Sequence, residues 1–315
     1  MRIAAIVVTF NRLDHLRVTL QRALAEPLDH LVVVDNGSTD GSREWLAGVA
    51  DPRLLIIKTA TNGGGAAGFE IGLREAVARL DPDWCVLMDD DASPKPGAIA
   101  QFRLGDFAGY AAIAAAVTFP DGRICDMNRP WVNPFGAIPV LLRSFLGKGR
   151  AGFHLPDQAY ADDVLRPVDV ATFVGLFLSR DAIAKVGYPD GRLFIYGDDV
   201  LYTLALSKAG GRIGFAPQIG FTHDCSSPER GRAFRPFWKT YYHHRNLVFV
   251  YRSVAGPVLF WPLIALMVPK WLLKGRDLPK DERRVYRRLI RRAIADAFAN
   301  HRSRSHAEIC ALATV

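Results

Sequence analysis

The sequence predicts an α/β fold, a Rossmann-like, mostly parallel twisted sheet flanked by helices, with a helical C-terminal extension. Three observations carry this. Short β-branched runs alternate with longer helix-like stretches through the first hundred residues, each run ends in a polar or glycine-rich segment, and an apolar then basic tail follows residue 250. Strands that alternate with helices must be joined by crossovers, which gives parallel strands with helices on the sheet faces.

The predicted order begins with a strand over Ile3–Thr9, a helix over Leu13–Ala25 and a strand over His30–Val34. A helix over Ser42–Val49, a strand over Leu54–Lys58, a helix over Ala66–Leu80 and a strand over Trp84–Met88 follow. The intervening loops are Thr9-Phe10-Asn11-Arg12, Asp35 to Gly41, Thr61-Asn62-Gly63-Gly64-Gly65 and Asp89-Asp90-Asp91. Ligands of open α/β sheets bind beyond the carboxyl ends of the strands, so these four loops are expected to converge on one site. Tyr110–Thr118 and Arg123–Asp126 read as paired strands about Pro120-Asp121-Gly122, and 128–165, rich in Pro, Gly and aromatics, is expected to cover an acceptor cleft. Asp169–Ser179 reads as a buried strand, Arg180–Val186 and Asp199–Ala209 as helices with a loop from Tyr188 to Gly197 between them, and Arg212–Ala216 as a strand.

With 315 residues, half of them hydrophobic and 23% charged, the chain can bury one large α/β core plus an appendage. The expected division is a catalytic domain over 1–250, with a nucleotide-binding half (1–95) and an acceptor half (96–250), and an extension over 251–315. Cys85, Cys125, Cys225 and Cys310 lack CxxC spacing, which argues against a zinc ribbon or disulfide framework and for a reducing compartment. The apolar run at the start carries no cleavage signal and reads as a strand, so a cytoplasmic location is expected. Residues 270–306 hold 12 Lys or Arg against 4 Asp or Glu, so the whole net charge of +8 belongs to the tail.

The strongest chemical signal is Asp89-Asp90-Asp91 at the end of an apolar strand. Three anions there repel one another unless a cation compensates, and Mg²⁺ or Mn²⁺ shared with diphosphate oxygens is a usual compensation; a solvated acidic turn is the alternative. Asp198-Asp199 precedes a helix, where a carboxylate can accept the proton of an attacking hydroxyl, or simply cap the helix. A neutral imidazole at His223 could complete the coordination of a metal held by carboxylates, although a lone His is more often a surface or core residue.

In this order, Val7-Val8-Thr9-Phe10-Asn11-Arg12, Val33-Val34-Asp35-Asn36-Gly37-Ser38-Thr39-Asp40, Asn62 to Phe69 and Asp89-Asp90-Asp91 resemble family 2 glycosyltransferases of GT-A fold. The Gly-rich segment running into Gly68-Phe69, the Asp-Asp pair and the downstream His are most similar to bacterial galactofuranosyltransferases and their rhamnosyltransferase relatives. The resemblance spans roughly residues 1 to 250 and implies an inverting, metal-dependent transfer of a galactofuranose or rhamnose-like sugar from a UDP- or dTDP-linked donor to a glycan or lipid-linked hydroxyl. It implies that Thr9 and Asp35 meet the nucleobase and ribose, with Asn11 and Arg12 beside them, and that Asn62, Gly63, Gly64 and Gly65 lie along the donor. Asp89, Asp90 and Asp91 would serve ribose, diphosphate and metal, with His223 as a further metal ligand, Asp199 as catalytic base and Asp198 as an acceptor contact. Tyr241, Tyr242, Arg245 and Asn246 match a Tyr-Tyr-x-x-Arg-Asn pattern seen in relatives. The family's galactofuranosyl polymerases carry an N-terminal β-domain that this sequence lacks before its first strand, so transfer of one or a few sugars is expected.

Other classes fit less well. A nucleotidyltransferase would place a basic glycine-rich signature in the first loop, which here is Phe10-Asn11-Arg12, and no GxGxxG follows the first strand as a dehydrogenase requires. A non-catalytic sugar-nucleotide-binding membrane protein would have lost the acids and His223. In the tail, Ser253–Pro269 holds no charge over 17 positions but is broken by three prolines, which is marginal for a spanning helix. Val285, Leu289, Ile290, Ala293, Ile294, Ala297 and Phe298 then form a stripe flanked by six arginines, a basic amphipathic helix suited to the inner, anionic face of the cell membrane rather than to nucleic acid. Packing of these segments on the catalytic domain, or against a second copy, is the other reading.

Overall fold

The computed structural model describes residues 1–144, 146, 149–225 and 234–314. Its first strand, β1 (Ile3–Thr9), is apolar on both faces and buried at every residue, as a central strand covered on both sides must be. α1 (Leu13–Leu24), β2 (His30–Asp35), α2 (Ser42–Ala47), β3 (Leu54–Lys58), α3 (Gly64–Leu80) and β4 (Trp84–Asp89) follow, and these strands lie parallel in the order β3-β2-β1-β4. The register of Val8 opposite Asp89 and Thr9 opposite Asp35 brings the loops after β1, β2 and β4 to one edge.

Beyond β4 the sheet becomes mixed. The next elements are β5 (Ala92–Pro94), α4 (Ala98–Leu104), β6 (Ala112–Thr118), α5 (Ile138–Arg143), β7 (Arg166–Val168) and β8 (Leu176–Ser179). α6 (Arg180–Val186), α7 (Asp198–Lys208) and β9 (Ile213–His223) complete the sheet region. β8 runs antiparallel to both β4 and β6, β6 runs parallel to β9, and β5 and β7 pair antiparallel with β9.

Two expected strands are shorter than read. Arg123–Asp126 contributes one bridge, Thr118 to Ile124, because the chain turns into a 3-10 segment at Asp126–Asn128. Of Asp169–Ser179 only Leu176–Ser179 is strand; Gly175 has φ +69°, a left-handed conformation that interrupts the extended run. The stretch 128–165 is described apart from 145, 147 and 148, and its Trp131 backbone pairs with Val170 while Asn133 donates its side-chain amide to the Val254 carbonyl.

α8 (Trp238–Lys274) runs across position 250 and kinks at Gly256. Proline at 257 disfavours a helical conformation at the preceding residue, and Gly256 takes φ +66° at little cost. α9 (Lys280–Phe298) folds back on α8, and α10 (His306–Leu312) closes the tail. The amphipathic stripe of α9 is consumed here: Val285, Tyr286, Leu289, Ile290, Ala293 and Ala297 are buried in clusters with Phe260, Ile264 and Trp271 or with Phe237, Tyr241 and Tyr242. Periodicity alone could not separate membrane insertion from internal packing, and for this helix the packing is observed. The apolar exposure lies instead on the second half of α8, at Val258, Leu259, Trp261, Leu266 and Leu273. By length and composition Trp238–Asp277 could cross a membrane.

Candidate active site

The acidic strand end and the distant histidine meet because of strand pairing. β5 begins directly after Asp91, and its register sets Ala92 opposite His223, while the Asp224 amide donates to the Asp91 carbonyl at 2.8 Å. Donor atoms of Asp89, Asp91 and His223 lie within 4.8 Å of one another. His223 Nε2 is 3.1 Å from Asp91 Oδ1, and Nδ1 donates to Asn128 Oδ1 at 2.8 Å. The amide of Asn128 is oriented in turn by its donation to the Thr172 hydroxyl.

Two carboxylates and an imidazole so disposed form a fitting donor set for a divalent cation, and Asn128 fixes the ring as an outer partner does in metal sites. Asn128 is a member that sequence reasoning missed; nothing in its neighbourhood announces it. Electrostatics describe the same cluster. Burial, then the charge of Asp91, pushes Asp89 up to about 6. Burial would lower the His223 pKa, but its bonds to Asp91 and Cys125 and the nearby carboxylate charges raise it to about 10. Burial raises Asp91 less than the His223 bond and charge and Arg12 lower it, so its carboxylate is held ionised.

The other expected residues surround this triad. Asp90 turns away from it: Oδ2 accepts from the Thr9 hydroxyl at 2.8 Å, and its carbonyl accepts from Thr19. Burial pushes Asp90 up to about 7 despite the Thr9 bond. Thr9 is therefore buried and committed to bracing Asp90, and Asp35 is buried and bonded to Arg43 Nε and the Ser38 amide. Arg12 pairs with Asp91 and, at 3.4 Å, with Asp90, and the Asn11 side chain accepts from the Thr39 amide, tying the first loop to the second.

Asn62 Oδ1 accepts from the Gly64 amide, and Asn36 donates to the Gly64 carbonyl and accepts from the Gly63 amide. Gly64 has φ +81°, and a Cβ there would stand 2.1 Å from the Phe194 carbonyl oxygen, so only glycine permits this approach. That contact, with the Ala66 amide donating to the same carbonyl at 3.1 Å, joins the glycine-rich loop to the segment carrying Asp198 and Asp199.

Asp198 and Asp199 form the first turn of α7. Asp198 is buried, which with the charge of Asp199 raises its pKa well above the usual range; half-buried Asp199 is pushed by burial to about 6, with the Val200 amide bond opposing. Asp199 and Asp89 are near enough that the charge of Asp199 also raises Asp89. The charge of Asp89 in turn helps raise Asp198.

The Tyr-Tyr-x-x-Arg-Asn residues support the loop ahead of these acids. Asn246 Nδ2 donates to the carbonyls of Leu193, Ile195 and Tyr196 at 3.0, 2.9 and 2.7 Å. Phe194 and Tyr196 have φ +68° and +69°, costly for residues with side chains, so the loop is held by external bonds. Buried Arg245 donates to the carbonyls of Leu193 and Arg302, linking the loop to the tail.

A second cluster shares His223: donor atoms of Cys125, His223 and Cys225 also fall within 4.8 Å of one another. The hydrogen bond from Cys225, opposed by burial, pulls the Cys125 thiol down to about 5.

A mixed sheet with parallel strands on one side, an acidic strand end and a pair of acids at a helix start are the architecture of a GT-A fold. Residues 4–120 match the family model described as Glycosyl transferase family 2, and the chain is a glycosyltransferase carrying a domain of that family. It is 27% identical over 282 residues to galactofuranosyltransferase GlfT1 of Mycolicibacterium smegmatis, covering 87% of this chain and 88% of that one. It is 25% identical over 241 residues to the N-acetylglucosaminyl-diphospho-decaprenol L-rhamnosyltransferase of Mycobacterium tuberculosis, covering 69% and 74%. Among solved structures, mannosyltransferase PcManGT of Pyrobaculum calidifontis, in complex with GDP-Man and Mn²⁺, superposes with a TM-score of 0.54 at 16% identity, over 99% of this chain and 78% of that one, which shows the shared fold.

Proposed function

We propose that this protein is an inverting, divalent-cation-dependent glycosyltransferase that moves a galactofuranose or rhamnose-like sugar from a nucleoside diphosphate to a hydroxyl of a glycan or lipid-linked acceptor. The observation that carries this reading is the convergence of Asp89, Asp91 and His223 beside the half-buried carboxylate of Asp199. The names of the relatives support the sugar class, and the Mn²⁺ of the mannosyltransferase complex supports a cation at such a site.

In this reading Asp89, Asp91 and His223 hold Mn²⁺ or Mg²⁺. When bound, the ion supplies positive charge where the departing diphosphate gathers negative charge. Arg12, half exposed over Asp91, is placed to share that charge. Asn62 and Gly63–Gly65 line the donor, with Asn11 shaping the first loop and Asp90, Thr9 and Asp35 forming the floor beneath it. Asp199 takes the proton of the acceptor hydroxyl as that oxygen attacks the sugar from the face opposite the diphosphate, and Asp198 orients the acceptor. A single displacement inverts the anomeric centre.

A thermal-shift series tests the donor class. A binder at a hundred times its Kd stabilises the folded state by about 2.7 kcal/mol. UDP or dTDP with Mn²⁺ is expected to raise Tm in the unmodified chain and to do so far less in Asp89→Asn; a chain that no nucleoside diphosphate stabilises would defeat the assignment.

For the acceptor side, we read the exposed face of α8 as a membrane-docking surface. Val258 and Trp261 are 79% and 59% exposed, the Trp261 ring stacks on exposed Phe298, and Lys270, Lys274 and Arg276 stand exposed alongside. Apolar side chains with flanking cations match an anionic lipid interface. Exposed Ile138 and Leu142 of α5 lie just beyond Asn133, which is bonded to Val254 ahead of the kink. Cosedimentation with phosphatidylglycerol vesicles is expected to drop several-fold in a Val258→Ser, Trp261→Ser double variant, and equal binding would exclude this face. Such point changes are preferable to truncation after residue 252, which would remove tail residues bonded to the catalytic loop.

A further inference from the structure

We propose that Cys125, His223 and Cys225 form a second cation site, suited to a thiophilic divalent ion such as Zn²⁺, and that its occupation withdraws His223 from Asp89 and Asp91. Three donor atoms already stand within 4.8 Å of one another, before any ion draws them in. The fold brings them together from two separate connections. The Cys125 amide donates to the Val117 carbonyl near the end of β6, whereas His223 ends β9 and Cys225 follows it by two residues. Cys125 is fully buried, and Cys225 packs against the same apolar cluster while keeping partial exposure.

The donor chemistry separates the two triads. Asp89 and Asp91 offer hard oxygens suited to Mn²⁺ or Mg²⁺, whereas two sulfurs and an imidazole nitrogen favour Zn²⁺, with a fourth position for an outer ligand. Binding displaces to solvent the protons carried by the sulfurs and by the ligating ring nitrogen, and two thiolates with a neutral imidazole and a divalent ion make a site of zero net charge, the condition under which ionised groups tolerate a buried setting. The two sites are exclusive because they share one lone pair. Asn128 accepts from Nδ1 and holds the proton there, leaving a single ring nitrogen to coordinate an ion. This exclusivity rests on the reading of Asp89, Asp91 and His223 as the catalytic cation site; the capture of a thiophilic ion does not.

The test uses the reduced full-length chain and Co²⁺, whose thiolate complexes absorb strongly in the near ultraviolet. A saturable band at one Co²⁺ per chain, bleached by stoichiometric Zn²⁺, absent from Cys125→Ser and Cys225→Ser and retained in Asp89→Asn, is the expected result. Cys225 is part-exposed, so its variant reports on the site even if the buried Cys125→Ser fails to fold. A folded, reduced chain that gives no band, or a band that survives Cys225→Ser, overturns the site. Mn²⁺ binding followed by electron paramagnetic resonance tests the sharing: one equivalent of Zn²⁺ should weaken it about tenfold or more in the unmodified chain and far less in Cys225→Ser, where Zn²⁺ competes only directly for the carboxylates. Mn²⁺ affinity unchanged by Zn²⁺ overturns the exclusivity, whereas Mn²⁺ binding that survives Asp89→Asn removes the catalytic-cation reading and leaves the cobalt band standing.

Discussion

Asp199→Asn is expected to lower sugar transfer by about 10²–10⁴-fold, the range contributed by a positioned general base, with nucleoside diphosphate binding close to that of the unmodified chain. The substitution keeps the shape of the side chain and its oxygen acceptor for the Val200 amide, so α7 keeps its first turn. What disappears is the carboxylate proposed to take the proton. The pH dependence has a definite sign: burial raises Asp199 to about 6, and the base works only when ionised, so turnover falls as pH drops through about 6. Below that pH the proton already occupies the site meant for the acceptor's proton. Turnover of Asp199→Asn should lack this limb, and the comparison needs only initial rates with a fixed donor across pH together with a binding isotherm for the nucleotide. A variant with near-normal turnover would place the base elsewhere.

Asn246→Ala is expected to lower both stability and turnover without touching a substrate. It removes the two N–H donors shared among the carbonyls of Leu193, Ile195 and Tyr196, and at about 0.5–1.5 kcal/mol for each N–H the loss is about 1–3 kcal/mol. The loop those bonds hold contains two residues at positive φ, so once released it relaxes toward ordinary backbone geometry and carries Asp198 and Asp199 away from Asp89. Urea unfolding measures the first effect and steady-state kinetics the second, with kcat falling more than the affinity for the nucleotide. Asn246→Asp keeps the size but sets an acceptor against the same three carbonyls, and is expected to lose at least as much as the alanine variant. Unchanged kcat in a folded Asn246→Ala would show that the loop keeps its course unaided.

Local features were legible in the sequence and non-local ones were not. β1 to β4 and their loops could be read because each strand is a mostly apolar run followed within a few residues by a polar or glycine-rich segment. The proximity of Asp91 and His223 depends on the register of β5 against β9, which no single-sequence pattern specifies. Asn128 joins the site through one bond across 95 positions, and its own neighbours carry no sign of it. Asn246 and Arg245 were visible as a motif, but their work is done on backbone carbonyls some fifty residues upstream, where any side chain would offer the same acceptor. The stripe on α9 was read correctly as amphipathic; what covers it is a property of the tertiary arrangement.

The grip of the tail on the loop ahead of Asp198 has a consequence for the order in which this molecule is made. Arg302 bonds Asp190 and offers its carbonyl to Arg245, and the His306 ring stacks on Phe194 at 4.5 Å. Residues 1–95 emerge from the ribosome first, whereas the segment bearing Asp198 and Asp199 lacks these braces until residues 302–306 have been translated. A nascent chain therefore passes through a stage in which Asp89 and Asp91 are present before the loop ahead of Asp198 is braced, and a tag or cleavage near the last helix is expected to prolong it.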